Sequence, residues 1–87
     1  MAFSRMTVHA LTRAQQRCID IEAIRLLLDY GLAEPAGAGF EKYYLPSRTL
    51  AEIKNDLQLP ASRIDRFKNL YAVVSADGSV VTVGRLH

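Results

Sequence analysis

The chain of 87 residues contains no tryptophan and a single cysteine, Cys18. One thiol cannot close an internal disulfide, so nothing in the composition points to an oxidising compartment. Cys18, His9 and His87 are too few and too scattered to form a recognisable zinc ligand set, and neither a metal nor another cofactor is expected. No apolar run approaches the roughly 20 residues of a membrane span. The N-terminus lacks the apolar core of a signal peptide, so the expectation is a cytoplasmic protein with no membrane partner.

Carboxylates are missing from residues 1–19, which hold Arg5, Arg13 and Arg17. The net charge of +2 is too small by itself to define a nucleic-acid binder. Its distribution says more. Arg63, Arg66 and Lys68 stand against Asp65, and the tail ends with Arg85 and His87. These three basic patches are candidates to converge on one surface. Hydrophobic residues at 49% and charged residues at 23% mark a globular chain, and its length supports one modest core, a single domain over residues 1–87.

What is present is a regular stripe. In HALTRAQQRCI, His9, Arg13 and Arg17 recur every fourth residue, a spacing that advances about 40° and roughly 6 Å per step on a helix. Leu11, Ala14 and Cys18 fall on the adjoining face and are expected to turn inward. The spacing predicts helices over about 8–18, capped by Thr7, and 20–31, capped by Asp20 and closed by Gly31 in the left-handed conformation. AEPAGAG at 33–39 reads as a connector because Pro35 bars helix continuation. A strand is expected over 40–45. Helices follow over 48–58, with Ser47 or Thr49 as cap and Thr49 with Glu52 as a capping box, and over 62–69, capped by Ser62.

Residues 71–76 and 79–84 flank Asp77-Gly78, the signal of a hairpin with a two-residue type I′ turn. That register sets Val74 against Val81 and Ala72 against Val83 on a core face. Val73 then opposes Thr82, and Tyr71 opposes Gly84, on a face that could line a groove. The elements together imply an α+β fold: N-terminal helices packed on a small, mainly antiparallel sheet ending in a β-hairpin.

The order His9-Ala10, Arg13, Arg17, Ile19, then Tyr30-Gly31, then Val81-Thr82-Val83 in the last strand, resembles a bacterial domain family. That family is grouped with the barnase, EndoU, colicin and RelE-like metal-independent ribonucleases, which include the RelE and ParE toxins. Cys18 stands where that family's helix pattern has Gly, and residues 46–70 look like an added helical segment. The resemblance implies a RelE-like fold, a toxin-like endoribonuclease or RNA-binding activity, and RNA or a cognate antitoxin as partner.

Metal-free RNA cleavage needs a base for the 2′-hydroxyl proton, a cation for the transition-state charge and an acid for the leaving oxygen. Histidine suits proton transfer near neutral pH, and the arginine fork suits phosphate. In this reading His9 is the acid or base, Arg13 and Arg17 clamp the phosphate, and Thr82 donates a hydrogen bond. His87 and Tyr71 are the candidates for the second proton-transfer group. Arg63, Arg66, Lys68 and Arg85 are the candidate nucleic-acid contacts. The alternative is a noncatalytic protein-interaction module or inhibitor on the same scaffold, contacted through apolar residues of the 46–70 segment.

Overall fold

The computed structural model describes residues 5–86 of the chain. Four helices and four strands follow in the order α1 (Val8–Gln16), α2 (Ile21–Tyr30), β1 (Leu32–Pro35), β2 (Glu41–Tyr44), α3 (Ser47–Leu57), α4 (Ala61–Asp65), β3 (Leu70–Val74) and β4 (Val80–Arg85). The strands form one antiparallel sheet in the order β1-β2-β3-β4. The fold is therefore α+β and ends in a β-hairpin, as the sequence pattern predicts.

Alternation along β3 decides the layering. Leu70, Ala72 and Val74 are buried while Tyr71 and Val73 are half-exposed, so one face of the sheet meets the helices. Val80 and Val83 of β4 join that face, and the helices supply Ala10, Ala14, Ile24, Leu27, Leu50, Ile53, Ile64 and Phe67 to the same core. Ile24, Leu27 and Ile53 are among the largest fully enclosed side chains, each worth about 1.5–3 kcal/mol of apolar burial. By register, Leu32, Tyr44, Tyr71, Val73 and Thr82 share the other face.

Thr7 caps α1, its hydroxyl oxygen accepting from the Ala10 amide at 3.1 Å. The helix stops at Gln16, two residues before the expected end, because Cys18 takes the left-handed conformation (φ 54°). The Ile19 amide then donates back to the Ala14 carbonyl (2.9 Å) and the Cys18 amide to Gln15 (3.3 Å), which is the Schellman closure. The inward face of α1 also differs from expectation. Ala10 and Ala14 are buried, whereas Leu11 and Cys18 are exposed. Two small side chains let the helix lie close against β4.

Gly31 is not left-handed; it is extended (φ −68°, ψ 160°). Glycine is needed there for space, since a Cβ would sit 2.3 Å from the Leu27 carbonyl oxygen and 2.9 Å from that of Tyr44. The expected connector at 33–39 is partly a strand: Leu32–Pro35 pairs with Glu41–Tyr44, and the turn between them uses positive φ at Gly37, Ala38 and Gly39. Pro35 is tolerated because β1 is an edge, where its missing amide hydrogen costs no ladder bond. The second strand is correspondingly shorter than the expected 40–45.

Neither Ser47 nor Thr49 caps α3: Pro46 occupies the cap position, no side chain bonds there, and Thr49 is buried within the first turn. Pro60 likewise takes the position expected of Ser62, and α4 ends at Asp65 rather than 69, the chain turning through Asn69 at φ 63°. The last hairpin holds the predicted pairs Tyr71↔Gly84, Ala72↔Val83 and Val73↔Thr82, but Val74 faces Val80 across a bulge. Its loop is three residues, not two. Gly78 donates to the Ser75 carbonyl (2.9 Å) and then adopts φ 89°, so a type I turn with a bulge replaces the expected type I′ turn.

Candidate functional site

The stripe on α1 has to be placed first. Burying Ala10 and Ala14 leaves His9 exposed and Arg13 and Arg17 half-buried along the flank of the helix. Thr82 lies on the opposite side of the sheet, because its neighbour Val83 points into the core against which α1 packs. His9, Arg13, Arg17 and Thr82 line neither of the two clefts described below. The structure does not gather the expected catalytic set round one hollow. Tyr71, a candidate second proton-transfer group, is on the Thr82 face with the Lys42 ammonium 5.4 Å from its ring centroid. His87 lies outside the described residues.

A second group of sequence candidates does come together. Arg85, on the inward side at the end of β4, donates to the Arg17 carbonyl at 2.7 Å and to the Arg66 carbonyl at 3.4 Å. Arg17 and Arg66 are the C-terminal cap residues of α1 and α4, so one guanidinium meets the negative ends of two helices. That contact joins the three basic stretches of the sequence at one place. Beside it opens a cleft of about 190 Å³, walled by Arg63 and Arg66 as well as Arg85. Lys68 does not line the cleft and pairs with Asp65 at 3.2 Å.

The remaining walls come from residues that the sequence reading did not single out. Helix α2 presents Glu22, Ala23 and Leu26, the last lying one turn beyond the first two. Leu57, from the last turn of α3, and Leu59, beside Pro60, complete an apolar floor with Phe67. Leu57 is 43% exposed although its position in the α3 pattern suggests a core residue. The available signal was a Leu on each side of Gln58 just before a proline, where the helix ends and cannot cover both.

Cys18 and Asp20 form the rim between α1 and α2. Asp20 holds the cap position of α2 but makes no side-chain capping bond, which leaves its carboxylate at the cleft. Among the described residues Arg63, Arg66, Asp20 and Glu22 have no ion-pair partner. The cleft thus combines guanidiniums from α4 and β4, carboxylates from the start of α2 and an apolar floor.

A second, more open cleft of about 530 Å³ lies between the two hairpin loops, with Phe40, Tyr43 and Val74 among its walls and Glu41 as its charged residue. Near it the Asp77 carboxyl is held down to about 2, first by the Ser75 hydroxyl, then by the Ser79 amide donating at 2.9 Å, with Arg5 adding a smaller attraction. Burial and the nearby Asp56 carboxylate raise the Tyr30 phenol, whose hydroxyl donates to Asp56 at 3.3 Å. Among the described residues no group of three or more His, Cys, Asp or Glu side chains could hold a metal ion, and no helix is long and apolar enough to cross a membrane. No protein-family model, curated protein or solved structure matches the chain.

Proposed function

We propose that the chain is a noncatalytic protein-interaction module that receives an apolar side chain of a partner, with an acidic group beside it, in the cleft between α2, the end of α3, α4 and the end of β4. The observation that carries this reading is the pairing of an apolar floor, Leu26, Leu57, Leu59 and Phe67, with Arg63 and Arg66 on the wall. Size supports it. At about 190 Å³ the cleft exceeds the roughly 150 Å³ cavity that admits a benzene ring and falls below the roughly 300–1,000 Å³ typical of metabolite sites. One buried anchor side chain is a common unit of recognition between proteins.

The ribonuclease reading rests on the resemblance and on the α1 stripe. It is the weaker one because Thr82 and the stripe lie on opposite sides of the sheet. One experiment separates the two. A display library of random 12-residue peptides panned on the protein should yield peptides with a large apolar residue and a nearby acidic group, and Leu57→Asp or Arg66→Glu should abolish their binding. In parallel, RNA incubated with the protein in chelator should stay intact. Cyclic-phosphate products that disappear in His9→Ala would overturn the proposal and restore the nuclease.

A further inference from the structure

The interaction reading leaves open which part of a partner enters the cleft, and the charges around it narrow the choice. Arg63 and Arg66 are three residues apart at the end of α4, so their side chains leave the helix as neighbours. Two neighbouring guanidiniums with no ion-pair partner among the described residues suit a carboxylate, which accepts parallel hydrogen bonds from such forks. Arg85 adds positive potential from behind while its own donors are committed to the Arg17 and Arg66 carbonyls. The hollow below them has room for a single apolar side chain, not for a row of them.

An internal acidic residue brings its carboxylate on one α-carbon and the apolar anchor on another, and in an extended chain adjacent side chains point to opposite sides. A chain end differs. Its last residue carries the apolar side chain and the carboxylate on the same α-carbon. The start of α2 adds a second condition, because Asp20 and Glu22 line the same cleft, have no cationic partner among the described residues and would repel further acidic residues.

Resting on the interaction reading above, we propose that the cleft binds the C-terminus of a partner protein: a free α-carboxylate on Arg63 and Arg66, an apolar last side chain on Leu26, Leu57, Leu59 and Phe67, and a basic residue a few positions upstream facing Asp20 and Glu22. Selectivity then comes from three separate features of the ligand, each met by a different wall.

The test uses the full chain and fluorescein-labelled hexapeptides in a polarisation assay. The peptides end in Leu and carry Lys upstream, and they differ only in a free carboxylate or a C-terminal amide. The acid should bind at least about tenfold more tightly, as expected when a charge-assisted hydrogen bond is lost from one member of a pair. Arg63→Gln with Arg66→Gln should erase that difference while the urea midpoint stays put, because both side chains are exposed. A further peptide acid with Glu in place of the upstream Lys should bind more weakly, and Glu22→Gln should narrow that gap; equal binding of the Lys and Glu peptides by the parent would overturn the basic-residue condition. Equal binding of acid and amide would overturn the C-terminal assignment yet leave the interaction reading standing. No binding of either, together with an empty display selection, would remove both. Displacement of the peptide by free leucine at similar concentration would also overturn the assignment, making the cleft an amino-acid site.

Discussion

Replacing Cys18 by Gly should stabilise the protein. Cys18 sits at φ 54°, where a side chain with a Cβ pays roughly 1–2 kcal/mol for the left-handed conformation. Glycine removes that strain but adds about 0.5–1 kcal/mol of unfolded-chain freedom. The thiol is exposed, so no packing is lost. The net gain is about 0.5–1 kcal/mol, which for a domain of this size raises the melting temperature by about 2–8 °C. Differential scanning calorimetry of Cys18→Gly against the parent reads this directly, with the thiols kept reduced to exclude intermolecular disulfides. Gly31→Ala is the matched control with the opposite sign: the backbone there is ordinary (φ −68°), but the new Cβ meets two carbonyl oxygens at 2.3 and 2.9 Å. That crowding should destabilise by about 1–3 kcal/mol. A melting temperature for Cys18→Gly equal to or below that of the parent would refute the assignment of position 18 as a strained helix stop.

Other contacts of the fold carry their own expected outcomes. Arg85→Ala removes the donors to the Arg17 and Arg66 carbonyls and should cost about 2 kcal/mol in urea unfolding; Lys should restore only part, since one ammonium lacks the fork that spans both. An unchanged midpoint for Arg85→Ala would mean that the contact ties nothing together. Asp77 is held at about 2 in the folded protein against an ordinary 3.8, so its contribution to stability is present above about pH 4 and disappears as pH falls toward 2. Asp77→Asn should therefore have a lower urea midpoint than the parent at pH 6, and the two should converge near pH 2; a gap independent of pH would show that the carboxylate charge is irrelevant. Leu57→Asp, on a side chain already 43% exposed, should leave the urea midpoint nearly unchanged while abolishing peptide binding, and a large loss of stability would place Leu57 in the core instead.

Local chemistry made several elements legible. Thr7 before an amphipathic segment reads as a cap and is one, and alternation about Asp77-Gly78 reads as a hairpin whose pairs Ala72↔Val83 and Val73↔Thr82 are found as predicted. The loop type was not legible, because Asp-Gly serves a type I turn with a bulge as readily as a type I′ turn. β1 was hidden for a similar reason: Leu-Ala-Glu-Pro has neither alternation nor β-branched residues, and it is a strand only because β2 offers it a ladder.

The residues of the candidate site divide in the same way. Arg63, Arg66 and Arg85 stood out as basic patches, and they do meet. Asp20 read as the cap of α2 and Leu57 as a core position, and only the packing of α2 and α3 turns both toward the cleft.

Within single elements, then, the order of residues determined the Thr7 cap of α1 and the inward Ala72↔Val83 pair of the hairpin, because those depend on neighbours a few positions away. Position 18 does not belong with them: the spacing carries α1 through Cys18, whereas the helix stops at Gln16 and the chain reverses at Cys18 with φ 54°. Which charges face one another was decided by packing alone. The sheet separates Thr82 from the α1 stripe, and the contact of Arg85 with two helix ends brings residues 17, 66 and 85 together. No periodicity in the sequence encodes either fact, because both depend on where whole elements come to rest against a common core.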